Sequence, residues 1–171
     1  MASPTLHVDP RYQPLLRRAG IDAESIFNHP DVRVWRSIPE RENCTLDTSD
    51  DAGRPVRLHI KRYHAVGERQ TPADVEAAGI HLLLERNIPT APLVAWGALP
   101  DGRSFVILAD LAGYRPADKL LESGASFDQL LAPTADLAAR LHTAGLHHRD
   151  LYLCHFMARL DAAPIDVRLI D

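Results

Sequence analysis

The chain has 171 residues, of which 46% are hydrophobic and 25% charged, and a formal net charge of -4. That length suits one folded body burying about 70% of the surface its unfolded chain would expose, and the composition excludes a disordered or fibrous protein. The negative balance argues against a duplex nucleic-acid binder, which needs an excess of Lys and Arg to neutralise phosphates.

Met1 to Pro10 carries neither a basic stretch nor an apolar run, and no segment approaches the ~18 consecutive apolar residues of a membrane span, so neither export nor a span is expected. From Pro10 to Gly20, Leu15-Leu16 between Arg11 and Arg17-Arg18 predicts a short amphipathic helix with a glycine after its end. Val32 to Arg36 alternates as a strand does, and Val56, Leu58 and Ile60 alternate with Arg57, His59 and Lys61. Ser49 to Gly53 has the composition of a turn, so these two strands are expected to form a hairpin. One face of the second strand is core, and the face carrying His59 and Lys61 is free to meet a ligand. The polar stretch from Ser37 to Asn43 reads as a solvated turn without glycine, although Arg41, Asn43 and Thr45 have side chains that suit phosphate.

The two cysteines, Cys44 and Cys154, lie far apart in contexts resembling a strand edge and a loop, which disfavours a disulfide framework and points to a reducing compartment. Thr71-Pro72-Ala73-Asp74 predicts a helix start, with a capping hydroxyl, Pro at the first helical position and an acid in the first turn. Val75, Ala78-Gly79, Leu82-Leu83 and Arg86 follow a 3.6 period as the buried stripe, with Glu76 at its edge and Pro89 ending the run. Leu93 to Trp96 and Ser104 to Leu108 read as strands around the turn Pro100-Asp101-Gly102. Beyond Asp110 the pattern becomes helical, with segments at Lys119 to Glu122, Phe127 to Leu131 and Pro133 to Ala144. Leu137, Ala138, Leu141 and Ala144 form the last stripe, and Gly145 stops it. Phe156 to Leu160 and Ile165 to Ile170 flank Asp161-Ala162-Ala163-Pro164 as a hairpin, with Asp171 at its far end.

His148-Arg149-Asp150, followed five positions later by His155, is a catalytic loop of the protein-kinase type, set between a helix and a hairpin. Phosphoryl transfer needs the nucleotide phosphates held, their charge neutralised by Mg2+ and an acceptor hydroxyl aligned by a carboxylate. Asp150 suits the last task; read alone, it is a solvated loop acid. His155 stands where protein kinases place a metal-binding Asn, but Mg2+ prefers oxygen donors, so a packing or hydrogen-bonding role stands beside metal ligation. Asp171 would bridge metal and phosphates; read alone, it is a frayed carboxylate. Lys61 on a strand and Glu76 early in the next helix match, in order, the pair that holds the α- and β-phosphates, although lone residues of these types are usually solvated. A zinc cluster of His142, His147, His148, Cys154 and His155 fits no known template by spacing.

The run Asp150-Leu151-Tyr152-Leu153-Cys154-His155-Phe156, with Leu169-Ile170-Asp171, Ile60-Lys61-Arg62-Tyr63 and Glu76 followed by Asn87-Ile88-Pro89, resembles the bacterial lipopolysaccharide kinases of the Kdo/WaaP group, which includes InaA-like proteins. The likeness covers about residues 33–171, and His155 at the Asn position is at home there. It implies an α+β, protein-kinase-like fold: an N-terminal extension over 1–30, an antiparallel-sheet lobe with one helix over 31–110, and the start of a helical lobe over 111–171, truncated at Asp171. It further implies a cytoplasmic ATP- and Mg2+-dependent kinase acting on a heptose or Kdo hydroxyl, with peripheral contact at the inner membrane's cytoplasmic face. In that reading Asp150, with His148 and Arg149, forms the catalytic loop, Lys61, Glu76 and His59 face the nucleotide, and Asp171 and His155 face the metal. Ala77 departs from the aromatic that the family often places after the Glu, and the rest of the second lobe is missing, so the chain is expected to be a fragment of a longer enzyme. A non-catalytic nucleotide-binding module, and a kinase with a protein or small-alcohol acceptor, remain as alternatives.

Overall fold

The computed structural model describes residues 3–64 and 70–171. Contacts divide the chain into two units, Met1–Gly79 with Pro92–Asp110, and Ile80–Ala91 with Leu111–Asp171.

The first unit is built on an antiparallel sheet of six strands: β1 (Thr5–Val8), β2 (Arg33–Ile38), β3 (Arg41–Ser49), β4 (Pro55–Tyr63), β5 (Leu93–Ala98) and β6 (Ser104–Ala109), in spatial order β1-β5-β6-β4-β3-β2. Cys44, Leu46, Leu58, Ile60, Phe105 and Ile107 line one face, and Leu15, Leu16, Ile21 and Ile26 cover it to form a single apolar cluster. Leu15 and Leu16 come from α1 (Gln13–Arg18), which ends before Gly20 at φ 69° as its glycine predicts. The hairpin turn at residues 50–54 is where the sequence puts it, but the partner of β4 is β3 and not the Val32 to Arg36 segment. Of the stretch read as a solvated turn, only Pro39-Glu40 is a turn; Ser37 and Ile38 end β2, and Arg41 to Asn43 begin the nine-residue β3. Its inward face carries only Cys44 and Leu46 as apolar residues, too few to stand out from polar alternation. At the opposite edge β1 pairs with β5, with Leu6 opposite Gly97. A Cβ on Gly97 would lie 2.1 Å from the Thr5 carbonyl oxygen, so this close approach requires glycine.

Helix α2 (Pro72–Glu85) starts where the sequence predicts. The Asp74 amide donates to Thr71 Oγ1, and the Thr71 hydroxyl donates back to Asp74 Oδ2 at 2.7 Å, a reciprocal cap. Its buried stripe differs from the predicted one. Ala73, Ala77 and Ile80 are buried, whereas Val75 and Leu82 are exposed. Apolar residues occur on several sides of this helix, so periodicity allows two stripes; the observed one flanks Glu76 at i-3, i+1 and i+4. Asn87 ends the helix in the left-handed region at φ 56°, and Ile88 N–H donates to Leu83 O.

The second unit packs α3 (Ala117–Glu122) and α4 (Phe127–Thr143) with a small sheet of β7 (Arg115–Pro116), β8 (Phe156–Arg159) and β9 (Asp166–Leu169). Ile88, Leu120, Leu130, Leu137, Leu141, Phe156, Val167 and Leu169 belong to its core. The two helical segments predicted on either side of Pro133 are one helix. Leu130, Thr134, Leu137 and Leu141 are buried in continuous register, and this packing outweighs the hydrogen bond that Pro133 removes. No helix among the described residues is long and apolar enough to cross a membrane.

Candidate active site

In the first unit, the strand alternation that sends Leu58 and Ile60 into the core sends Lys61 to the other face. There Lys61 Nζ donates to Glu76 Oε1 at 2.8 Å, with only 14% and 16% of the two side chains exposed. The hydroxyl of Tyr63, two residues further along the same face, donates to Glu76 Oε2. Both carboxylate oxygens thus accept from β4, and Glu76 fixes where the ammonium points. The alternation of Lys61 with Tyr63 carried that third partner in the sequence, where Tyr63 is only the last residue of the Ile60-Lys61-Arg62-Tyr63 run. His59 lies on the same face but turns to Asp110, with Nε2 2.8 Å from Oδ1 and both side chains partly exposed. Asp110 had no sequence signal beyond marking the end of the sheet. Beside it, Asp47 is held below the ordinary carboxylate range chiefly by its hydrogen bonds from the Arg57 guanidinium.

In the second unit, the end of α4 and the β8–β9 hairpin bring His148, Asp150, His155 and Asp171 together. The Asp150 amide donates to His148 Nδ1 at 3.2 Å. That nitrogen is therefore the acceptor, and the proton sits on Nε2, which donates to the carbonyls of Ile170 and Asp171. His155 is turned the other way: its Nδ1 donates to the Asp150 carbonyl, leaving Nε2 on the side of Asp171. Two imidazoles thus take the backbone of Asp150 and leave its exposed carboxylate without a hydrogen bond among the described residues. Arg149 is exposed beside it. The hairpin itself is clamped by Tyr114, whose hydroxyl donates to Asp166 and accepts from Arg168 Nε at 3.0 Å, while the guanidiniums of Arg159 and Arg168 lie 5.2 Å from its ring centre. Sequence reasoning missed this clamp, because its members are scattered over three strands and their approaches.

His155 Nε2 lies 3.8 Å from Asp171 Oδ2. That is too long for a hydrogen bond. The two atoms are close enough for one divalent cation to bind both, and a carbonyl-anchored Nδ1–H is the usual partner of a ligating imidazole. Among the described residues no group of three or more His, Cys, Asp or Glu side chains would hold a metal by itself. A pair of protein ligands completed by phosphate oxygens fits the way Mg2+ is commonly held, although the imidazole is a less favoured donor for it than oxygen.

A family model described as the lipopolysaccharide kinase (Kdo/WaaP) family matches residues 57–171, a span that contains Lys61, Glu76, Asp150, His155 and Asp171. Over 162 residues the chain is 32% identical to the lipopolysaccharide core heptose(I) kinase WaaP of Escherichia coli (strain K12), covering 82% of this chain and 60% of that protein. The chain thus spans 60% of the length of the curated relative it matches. Among solved structures it resembles the pseudokinase domain of BIR2, an immune regulator of the RLK/Pelle family, with a TM-score of 0.50 over 99% of this chain and 52% of that one, at 18% identity. That likeness gives the fold as protein-kinase-like.

Proposed function

We propose, from the premise that this chain belongs to the lipopolysaccharide kinase (Kdo/WaaP) family, that it carries nucleotide-holding and transfer residues of an ATP-dependent kinase for a sugar hydroxyl of the lipopolysaccharide inner core. The observation that carries the reading is the state of Asp150: its backbone is held by His148 and His155 while its carboxylate stays open to an acceptor. An open, fixed carboxylate is what orienting a hydroxyl for in-line attack requires. In this reading Lys61, steered by Glu76, holds the α- and β-phosphates of ATP. His155 Nε2 and Asp171 hold a divalent cation, and His148 fixes the backbone at Asp171 so that its carboxylate stays in place. When bound, Mg2+ neutralises charge on the phosphates.

The acceptor follows from kinship. The relative that shares 32% identity is a heptose(I) kinase, and a heptose hydroxyl is the acceptor we assign, with a Kdo hydroxyl next. The reaction belongs on the cytoplasmic side of the inner membrane, where ATP is available, with the acceptor presented at the membrane surface. A second reading, a nucleotide-binding module without transfer, is favoured by one observation: the β2–β3 turn, Pro39-Glu40, lacks the glycines that usually cover the phosphates. The test offers labelled ATP to four acceptors: a heptose-bearing core, a core ending at Kdo, a protein mixture and a small polyol. Label in the heptose-bearing core is the expected result. Label in protein or polyol alone would refute the sugar assignment, and nucleotide binding without any transfer would establish the second reading.

A further inference from the structure

Strands β2 and β3 join through Pro39-Glu40, with Ile38 opposite Arg41. Nothing from Ser37 to Asn43 is glycine, and Pro39 has no N–H, so this hairpin has no row of free amides to wrap a phosphate. Its side chains are arranged for another grip. Val34 opposes Cys44 and Arg36 opposes Asn43, which makes Trp35 the extra residue of a bulge. The bulge resets the alternation of β2, so that Arg33 and Arg36, of opposite parity in the sequence, both come to the face away from the Cys44 and Ile60 core. The register Arg36-Asn43-Lys61 is one cross-strand row, and Arg41 sits in the next row opposite Tyr63. Directly opposed residues of such rows have Cβ atoms about 5 Å apart.

The charges on this face are unevenly matched. Lys61 is held by Glu76, Arg57 by Asp47, and His59 by Asp110. Arg36 is exposed and forms no ion pair among the described residues. Arg41 Nε and Asn43 Oδ1 are closed off from solvent without a hydrogen-bond partner there. A cation with no counter-ion beside the orphaned Arg41 Nε–H donor, in line with the phosphate-holding lysine, suits an anion. These residues also lie outside the matched span 57–171, so the family match says nothing of them.

We infer that Arg36, flanked by Asn43 and Arg41, grips the polyphosphate of the nucleotide by side chains on the Lys61 face, in place of a glycine-rich backbone loop. The inference rests on the nucleotide-binding reading above. The guanidinium supplies paired donors to phosphate oxygens, and the Asn43 amide, turned about its last torsion, supplies another. Such a grip favours di- and triphosphates over a monophosphate.

The experiment is calorimetric titration of the protein with Mg-ATP, tripolyphosphate and AMP, comparing wild type with Arg36→Ala, Arg36→Lys and Trp35→Ala. Arg36→Ala is expected to weaken ATP and tripolyphosphate about tenfold to a hundredfold while leaving AMP within about twofold, the range for lost charge-assisted hydrogen bonds. Arg36→Lys recovers part of the loss, and Trp35→Ala, at the adjacent bulge position, changes none of the three affinities. Arg36→Ala binding ATP as wild type does, or losing ATP and AMP equally, overturns this inference alone. A wild-type protein that binds no nucleotide removes the nucleotide reading and the inference with it.

Discussion

Glu76 accepts from two donors at once, the Lys61 ammonium and the Tyr63 hydroxyl, in a setting where little of either charged side chain reaches solvent. Replacing it by Ala removes the acceptor of both an ammonium and a hydroxyl, which costs about 1–3 kcal/mol. Tyr63→Phe removes one hydroxyl and is expected to cost about 1 kcal/mol. Urea midpoints of the two variants check the order. Both variants are also expected to weaken Mg-ATP binding, the first more than the second. The cysteines give a second residue-level expectation. Cys44 is 1% exposed, and burial pushes its thiol up, so little reactive thiolate forms at neutral pH. Cys154 is half-buried in the loop. Iodoacetamide at neutral pH is expected to label Cys154 first, with Cys44 reacting only on unfolding; peptide mass mapping reads the order. The pairing of Lys61 with Glu76 was legible because these types recur in a known order along the chain. Tyr63 and Asp110 were not, since each matters through a partner that only folding supplies.

At the scale of elements, legibility followed the density of apolar residues. The β5–β6 and β8–β9 hairpins announce themselves by apolar runs around turn residues, and the cap of α2 by Thr71-Pro72-Ala73-Asp74. Strand β3 did not, because only Cys44 and Leu46 mark its inward face, and without it the Arg36-Asn43-Lys61 row could not be drawn. The buried face of α2 was ambiguous for the opposite reason, an excess of apolar residues, and the structure buries the stripe of Ala73, Ala77 and Ile80. Edge strand β1 left its mark in a single glycine. Gly97→Ala would drive a methyl into the Thr5 carbonyl, which is backbone and has little room to yield. It is expected to lower stability by about 1–3 kcal/mol, the usual cost of overpacking. Gly79→Ala, where a Cβ meets nothing within 4 Å, is expected to be neutral or slightly stabilising. Melting temperatures of the two variants, measured side by side, separate steric approach from a general effect of adding a methyl.

For the molecule as a whole, composition and motif order were enough to anticipate a mixed α and β kinase-like chain, and the family match agrees. What they could not give is how each unit prepares its own chemistry. On the polar face of its sheet the first unit sets a steered lysine in one row with Asn43 and Arg36. The second uses two imidazoles, one anchoring the backbone at Asp171 and one anchored by the Asp150 carbonyl with its Nε2 near the Asp171 carboxylate. Such hydrogen-bond choices join residues from 2 to 23 positions apart through contacts that only the folded loop and hairpin supply. They converge on Asp150, so its carboxylate is where the account is most exposed. The direct measurement is transfer of labelled phosphate from Mg-ATP to a heptose-bearing lipopolysaccharide core by wild type and by Asp150→Asn, with Mg-ATP affinity determined for both. Transfer by wild type that falls at least about a hundredfold in Asp150→Asn, the scale of a lost catalytic acid-base group, with nucleotide affinity retained, is the expected result. Equal transfer by the two proteins, or no transfer by wild type, would contradict it.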